Sequence, residues 1–170
     1  MEPSKMPAES RQTLADMPSS QQFATFYLAE AAYGIEVMKV QEITRPMQMT
    51  HVPLAPPFVK GLINLRGQIA TAVCLRTLFS IQGEAPKEQM NLICRVNNLL
   101  LSFLVDRIGD VMEASSELYE PVPENVSDGI KNYMSGIYKI PESLLSVIEV
   151  EKIAKYLQDI GTQTSENKGN

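Results

Sequence analysis

The chain has 170 residues, a mass of 18.9 kDa, a formal charge of −5 and an isoelectric point near 5.0. Hydrophobic residues at 44% and charged residues at 21% are globular proportions and exclude a wholly disordered chain; the length suits one ordinary domain, or two small barrels sharing a core. The acidic balance argues against a protein that coats nucleic acid, because displacing phosphate counterions needs clustered Lys and Arg.

Residues 1–22 hold Pro3, Pro7 and Pro18 among many Ser and Gln, with no aromatic side chain. Such a stretch cannot bury enough surface to offset its ordering entropy, so a disordered N-terminal tail is expected. Glu2, Glu9 and Asp16 interrupt it, and it has no apolar run of the signal-peptide kind. A body over residues 23–160 follows, and residues 161–170 read as a flexible C-terminal tail. No stretch is long and apolar enough for a membrane helix: Leu99 to Val105 is the longest, and Ser102 breaks it.

Within the body, Phe23 to Leu28 and Tyr33 to Val40 read as the first two strands. In the second, Tyr33, Ile35 and Val37 alternate with Gly34, Glu36 and Met38, the two-residue period of a half-buried strand. After a loop with Pro53, Pro56 and Pro57 come strands at Phe58 to Leu65 and Ile69 to Leu75. The small face of the latter, Ala70, Ala72 and Cys74, implies close approach by a neighbour. Met90 to Val96 and Leu99 to Val105 flank Asn97-Asn98, a two-residue hairpin signal because Asn tolerates positive φ. Leu144 to Val150 is the last strand. A helix from Glu151 to Ile160 puts Ile153, Tyr156, Leu157 and Ile160 on one stripe. Short strands separated by turn residues, with little helix, predict a mostly β chain of small antiparallel barrels.

Catalytic patterns are missing from the sequence. There is no Gly-rich phosphate loop, no GxSxG and no HExxH. His51 is the single histidine, in a loop with no nucleophile beside it, and reads as a surface residue. Cys74 and Cys94 lie in apolar runs and read as buried, reduced thiols of a cytoplasmic protein. No enzyme activity, cofactor or metal is expected. The charge is uneven: residues 43–83 contain no acid but hold Arg45, Lys60, Arg66 and Arg76, so this segment is +4 and the remainder −9. A patch of this kind can steer an acidic partner, unless acids distant in sequence neutralise it, with Glu42 the first candidate.

Three stretches carry a family likeness. Tyr33-Gly34-Ile35-Glu36-Val37-Met38-Lys39-Val40-Gln41-Glu42-Ile43 resembles the opening motif of CheW-like coupling proteins. Phe58-Val59-Lys60-Gly61-Leu62-Ile63-Asn64-Leu65-Arg66-Gly67 resembles their most distinctive stretch, and Val105-Asp106-Arg107-Ile108-Gly109-Asp110-Val111 a third. The resemblance runs from about Phe23 to Leu157. It implies two five-stranded SH3-like barrels about a shared core and a non-catalytic scaffold in the cytoplasm. The scaffold would join the tip of a methyl-accepting chemoreceptor to the regulatory domain of a CheA-type histidine kinase, at membrane-associated receptor arrays. The alternative weighed against it is a ligand-binding sensor built on the same barrels, which predicts a deep pocket with convergent polar groups.

The resemblance also implies roles. Glu42 and Arg66 would pair, holding the strand end against the Asn64-Leu65-Arg66-Gly67 turn; a bidentate Arg–carboxylate contact fixes geometry better than a Lys could. Gly61 and Gly67 would allow tight backbone paths, and Asn64 would satisfy loop backbone groups. Val40, Ile63 and Leu65 would meet a receptor helix, although core packing is the stronger reading for Val40 and Leu65. Lys60 completes the expected partner-binding set. Thr71 and Cys74 stand where the family usually has proline and aspartate, and a cysteine anchors a turn less well than an aspartate does. A part in large arrays needs only modest contacts, so each isolated partner should bind at micromolar strength, about −8 kcal/mol, to a mostly monomeric chain.

Overall fold

The computed structural model describes residues 19–167, and eleven strands form two sheets. β1 (Ser20–Leu28) and β2 (Ala31–Glu36) pair as an antiparallel hairpin. A 3-10 turn, Val37–Lys39, then carries the chain into the second sheet. There it makes β3 (Val40–Thr44), β4 (Val59–Leu65), β5 (Gln68–Cys74), β6 (Met90–Val96) and β7 (Leu99–Val105), with the one-turn helix α1 (Leu75–Leu78) after β5. At Asp106 it returns to the first sheet for β8 (Arg107–Ser115), β9 (Tyr119–Glu120), β10 (Met134–Ile140) and β11 (Ser143–Ile148). The short α2 (Asp128–Lys131) precedes β10, and α3 (Val150–Asn167) follows β11.

The first sheet runs β8-β1-β2-β11-β10-β9 and the second β3-β6-β7-β5-β4. Each contains one parallel pair, β2 with β11 and β5 with β7. The second module is therefore an insertion in the first, entered at Val37–Lys39 and left at Asp106. The first sheet has six strands rather than the five expected, because the two-residue β9 pairs with β10.

Several expected element boundaries need correction. The run from Tyr33 to Val40 is not one strand: β2 ends at Glu36, and Val40 opens β3 in the other sheet. The alternation continues through the break because Val37 is half-buried while Met38 is 91% exposed on the crossing turn. Leu75 and Val150 are not strand ends; each begins a helix. β1 takes in Ser20–Gln22, and α3 runs past Ile160 to Asn167. Of the tail expected at residues 1–22, residues 1–18 lie outside the described residues, as do residues 168–170 of the expected C-terminal tail.

A principal core lies between the sheets, drawing Phe26, Leu28 and Ile35 from the first and Val73, Leu92, Leu101 and Phe103 from the second. α3 closes it with buried Val150, Ile153 and Ala154. Aromatic rings connect the layers in series: Phe26 to Tyr33 at 5.6 Å, Tyr33 to Phe79 at 6.0 Å, Phe79 to Tyr133 at 5.9 Å, Tyr133 to Tyr156 at 6.0 Å and Tyr156 to Phe58 at 5.7 Å. Such contacts add to area burial through their quadrupoles. The small face of β5 does meet a close neighbour: Ala70 and Ala72 are fully buried against Ile63, Leu65, Ile93 and Leu100. Both cysteines are free and buried, and burial pushes the Cys94 thiol up to about 12.

Candidate partner-binding surface

β4 and β5 are joined by the two-residue turn Arg66-Gly67, closed by the Leu65–Gln68 pair. Both turn residues have positive φ, 52° at Arg66 and 87° at Gly67. This is the pattern of a type I′ hairpin turn, which favours Asn and Gly over Arg. Asn64 supports the turn from within, its Oδ1 accepting the Gly67 N–H at 2.9 Å. No atom lies within 4 Å of where a Gly67 Cβ would stand, so the tip is free of packing, and its glycine serves conformation alone.

Across the open side of the barrel stands β3, an edge strand like β4. The Arg66 guanidinium donates to Glu42 Oε2 from the hairpin tip, joining the two edges. The Arg66 side chain is 72% exposed and that of Glu42 24%. A second link runs beside it: Arg95 on β6 donates from Nε to Gln41 Oε1 at 3.2 Å and from Nη2 to Gln68 Oε1 at 2.6 Å. Glu42, Asn64, Arg66 and Gly67 are thus brought together, as the resemblance implied. Gln41, Gln68 and Arg95 complete the cluster and were not anticipated.

The other expected site residues lie elsewhere. Gly61 sits at a bulge in β4, where a Cβ would come within 2.6 Å of the Thr50 carbonyl oxygen. Thr50 and Leu62 exchange two backbone hydrogen bonds there, both 2.8 Å, so Gly61 lets the 46–58 loop lie against β4. Lys60 is exposed at the far end of β4 and borders a polar groove with Arg76, Thr77 and Gln89. Val40 is half-buried on the principal core. Leu65 is buried and Ile63 fully so, which removes both from any docking surface, because the period of β4 turns them inward and Lys60 and Asn64 outward. Exposed apolar residues adjacent in sequence to the cluster are Ile43, after Glu42, and Ile69, after Gln68.

The cations of residues 43–83 are in part neutralised. Arg66 has Glu42, and Arg76 is buried against Asp106, its Nε 2.8 Å from both carboxylate oxygens and its Nη2 2.6 Å from Oδ2. Asp106 also accepts from Ala29 N–H at 2.8 Å and from Gln89 Nε2 at 3.1 Å. Burial by itself would raise this carboxyl; the hydrogen bonds from Arg76, Ala29 and Gln89 outweigh it and hold Asp106 below the usual carboxylate range. Arg45 and Lys60 make no ion pair among the described residues, and His51 is exposed.

Of the two departures from the family pattern, Cys74 has a clear consequence. It occupies the N-cap position of α1 and makes no side-chain cap bond, whereas an aspartate there could accept from the first turn. Thr71 is half-buried in β5 and borders a cleft of about 440 Å³ between Val52, Pro56 and Val59 on one side and Leu157 and Ile160 of α3 on the other. Among the described residues no three His, Cys, Asp or Glu side chains converge for a metal, and no helix is long and apolar enough to cross a membrane.

The CheW-like domain model matches residues 22–158. The chain belongs to the CheW-like family. It is 33% identical to the chemotaxis protein CheW of Helicobacter pylori over 135 residues, covering 79% of this chain and 81% of that protein. It is 32% identical to CheW of Klebsiella aerogenes over 141 residues, covering 82% and 85%. Among solved structures it is similar to the scaffolding protein TtCheW from Thermoanaerobacter tengcongensis, with a TM-score of 0.69, 28% identity, and coverage of 78% of this chain and 89% of that one. Like these CheW proteins, the chain is a non-catalytic chemotaxis scaffold with the family's paired SH3-like units, and not a ligand-binding sensor.

Proposed function

We propose that this chain couples a methyl-accepting chemoreceptor to a CheA-type histidine kinase, and that the Arg66–Glu42 cluster at the β4–β5 tip belongs to the surface that does so. The observation carrying this reading is the Arg66 backbone. Six non-glycine residues stand at positive φ among the described residues, and Arg66 is the one cation of them; holding a bulky side chain there costs conformational energy, and such strain is found at functional positions. Here it aims a guanidinium at an edge strand. Ile43 and Ile69 supply apolar area in place of the buried Ile63 and Leu65. Lys60 and Gly61 act further along β4, the first as an exposed charge and the second by shaping the loop.

The chain works in the cytoplasm, recruited to receptor arrays, and is mostly monomeric when isolated. Each partner binds at micromolar strength, because array geometry multiplies modest contacts. The test is titration calorimetry with the regulatory domain of the kinase and with a receptor cytoplasmic fragment, wild type against Arg66→Ala. The variant should keep its melting temperature to within about 4 °C, since an exposed pair contributes about 0–1 kcal/mol. It should weaken binding to at least one partner about tenfold. Wild-type protein that binds neither partner, or an Arg66→Ala variant that binds both as well as wild type, rejects the assignment.

A further inference from the structure

We infer that Arg95 is a positioning residue: it sets the spacing between the β3 edge and the β4–β5 tip, and so holds Arg66 where its partner-binding role requires. This rests on the reading of the tip as a partner surface. The tip has few attachments of its own. Its turn glycine has open space around it, and the Asn64 bond is internal to the hairpin. The Arg66–Glu42 pair is exposed, and a single exposed ion pair is a weak tether screened by salt.

Arg95 has a firmer base. Its neighbours in β6, Cys94 and Val96, are buried, and Arg95 itself pairs with Leu100 of β7. Its backbone is therefore held by the β6–β7 ladder while its side chain lies outside. The guanidinium is a rigid fork, and its two arms reach opposite sides of the barrel opening. One arm holds Gln41, which sits at the bulge in β3 where the register slips between Val40 and Glu42. A bulge leaves its extra residue without a ladder partner and re-aims its neighbours. Fixing Gln41 thus fixes the direction of Glu42. The other arm holds Gln68, the first residue after the turn. Both ends of the Arg66–Glu42 contact are in this way referred to one side chain. No acid pairs with Arg95 among the described residues, so the fork is committed to two neutral amides.

The experiment uses the full chain and four forms: wild type, Arg95→Met, Arg66→Ala and the double variant. Arg95→Met keeps the aliphatic stem and should lower the melting temperature by less than about 4 °C. It should shift the Arg66 side-chain Nε–H and Gly67 amide resonances in NMR spectra, and Arg95→Lys should move them only part of the way. Binding of the kinase regulatory domain or the receptor fragment should weaken about fivefold in Arg95→Met, and the double variant should bind like Arg66→Ala alone, since residues acting through one another are not additive. Unchanged Arg66 and Gly67 resonances, or losses that multiply in the double variant, overturn the inference. If Arg66→Ala binds both partners normally, the surface assignment falls by itself, and the resonances still decide whether Arg95 positions the tip.

Discussion

At Asp106 and at Val37–Lys39 the chain passes between the same two sheets, yet the passages are fastened in opposite ways. Asp106 and Arg76 have side chains only 9% exposed, and the carboxylate collects donors from α1, from the β1–β2 turn and from Gln89 in the loop just before β6. Arg76 adds a bond from Nη1 to the Gly83 carbonyl at 3.2 Å. At the other passage, Lys39 lies 2.8 Å from Glu151 at the start of α3 and 3.5 Å from Glu36, with side chains 26% and 49% exposed for the shorter pair. Burial would lower the Lys39 pKa; the hydrogen bond to Glu151 and the charge of Glu36 outweigh it and raise it, while the same contact lowers Glu151. One passage is a sealed joint and the other a wet one. The wet one leads directly into the β3 edge that carries Glu42, and it places Met38 almost wholly in solvent. The stronger fastening is thus at the passage that does not lead into the β3 edge.

Breaking the sealed joint should have the largest effect. Asp106→Ala leaves Arg76 as an uncompensated buried cation and the Ala29 N–H without an acceptor, and should cost about 3–5 kcal/mol in urea denaturation; a loss below about 1 kcal/mol would mean that the two passages are fastened equally loosely. Acid should act next. The Asp106 carboxyl titrates lower in the folded chain than the 3.8 of a free side chain. Its contribution is therefore complete above that value and drains away as pH falls through the folded one. Asp106→Asn should lack this share, so its stability curve is flatter than wild type below pH 4 or so; parallel curves would remove the carboxylate from the account. Lys39→Met should cost no more than about 1 kcal/mol by the same denaturation measurement. Salt should act least and discriminate best: about 0.5 M sodium chloride, with a Debye length of only a few ångströms, should erase the Lys39→Met difference and leave that of Asp106→Ala nearly unchanged.

What could be read from the sequence follows how local each signal is. The β6–β7 hairpin is where it was expected, with Asn97 at φ 56°, because its cue lies in two adjacent residues and the apolar runs beside them. The charge distribution points to Glu42 as an acid that could neutralise the basic segment, but its pairing with Arg66, 24 positions away, comes only from the family resemblance. Arg95 escaped notice because its acceptors are 54 and 27 residues away and no local pattern marks them. Asp106 was quoted as part of a motif, but its ion pair with Arg76 spans 30 positions and was not seen. β8 is read as part of a motif and not as a strand, because it is an edge with most of its residues partly or fully exposed and gives no clean alternation. The break after Glu36 was hidden for the opposite reason: the alternation is perfect there, and only the partner sheet changes.

The insertion of one module within the other has a consequence for how the chain is made. Residues 40–105 hold all the strands of the second sheet, so their pairing need not wait for β8 to β11. The first sheet must. β2 waits for β11, more than a hundred residues downstream, and pairing across such a span is intrinsically slow. Until then the β1–β2 hairpin keeps an open edge, and a newborn chain must be kept apart from its neighbours there.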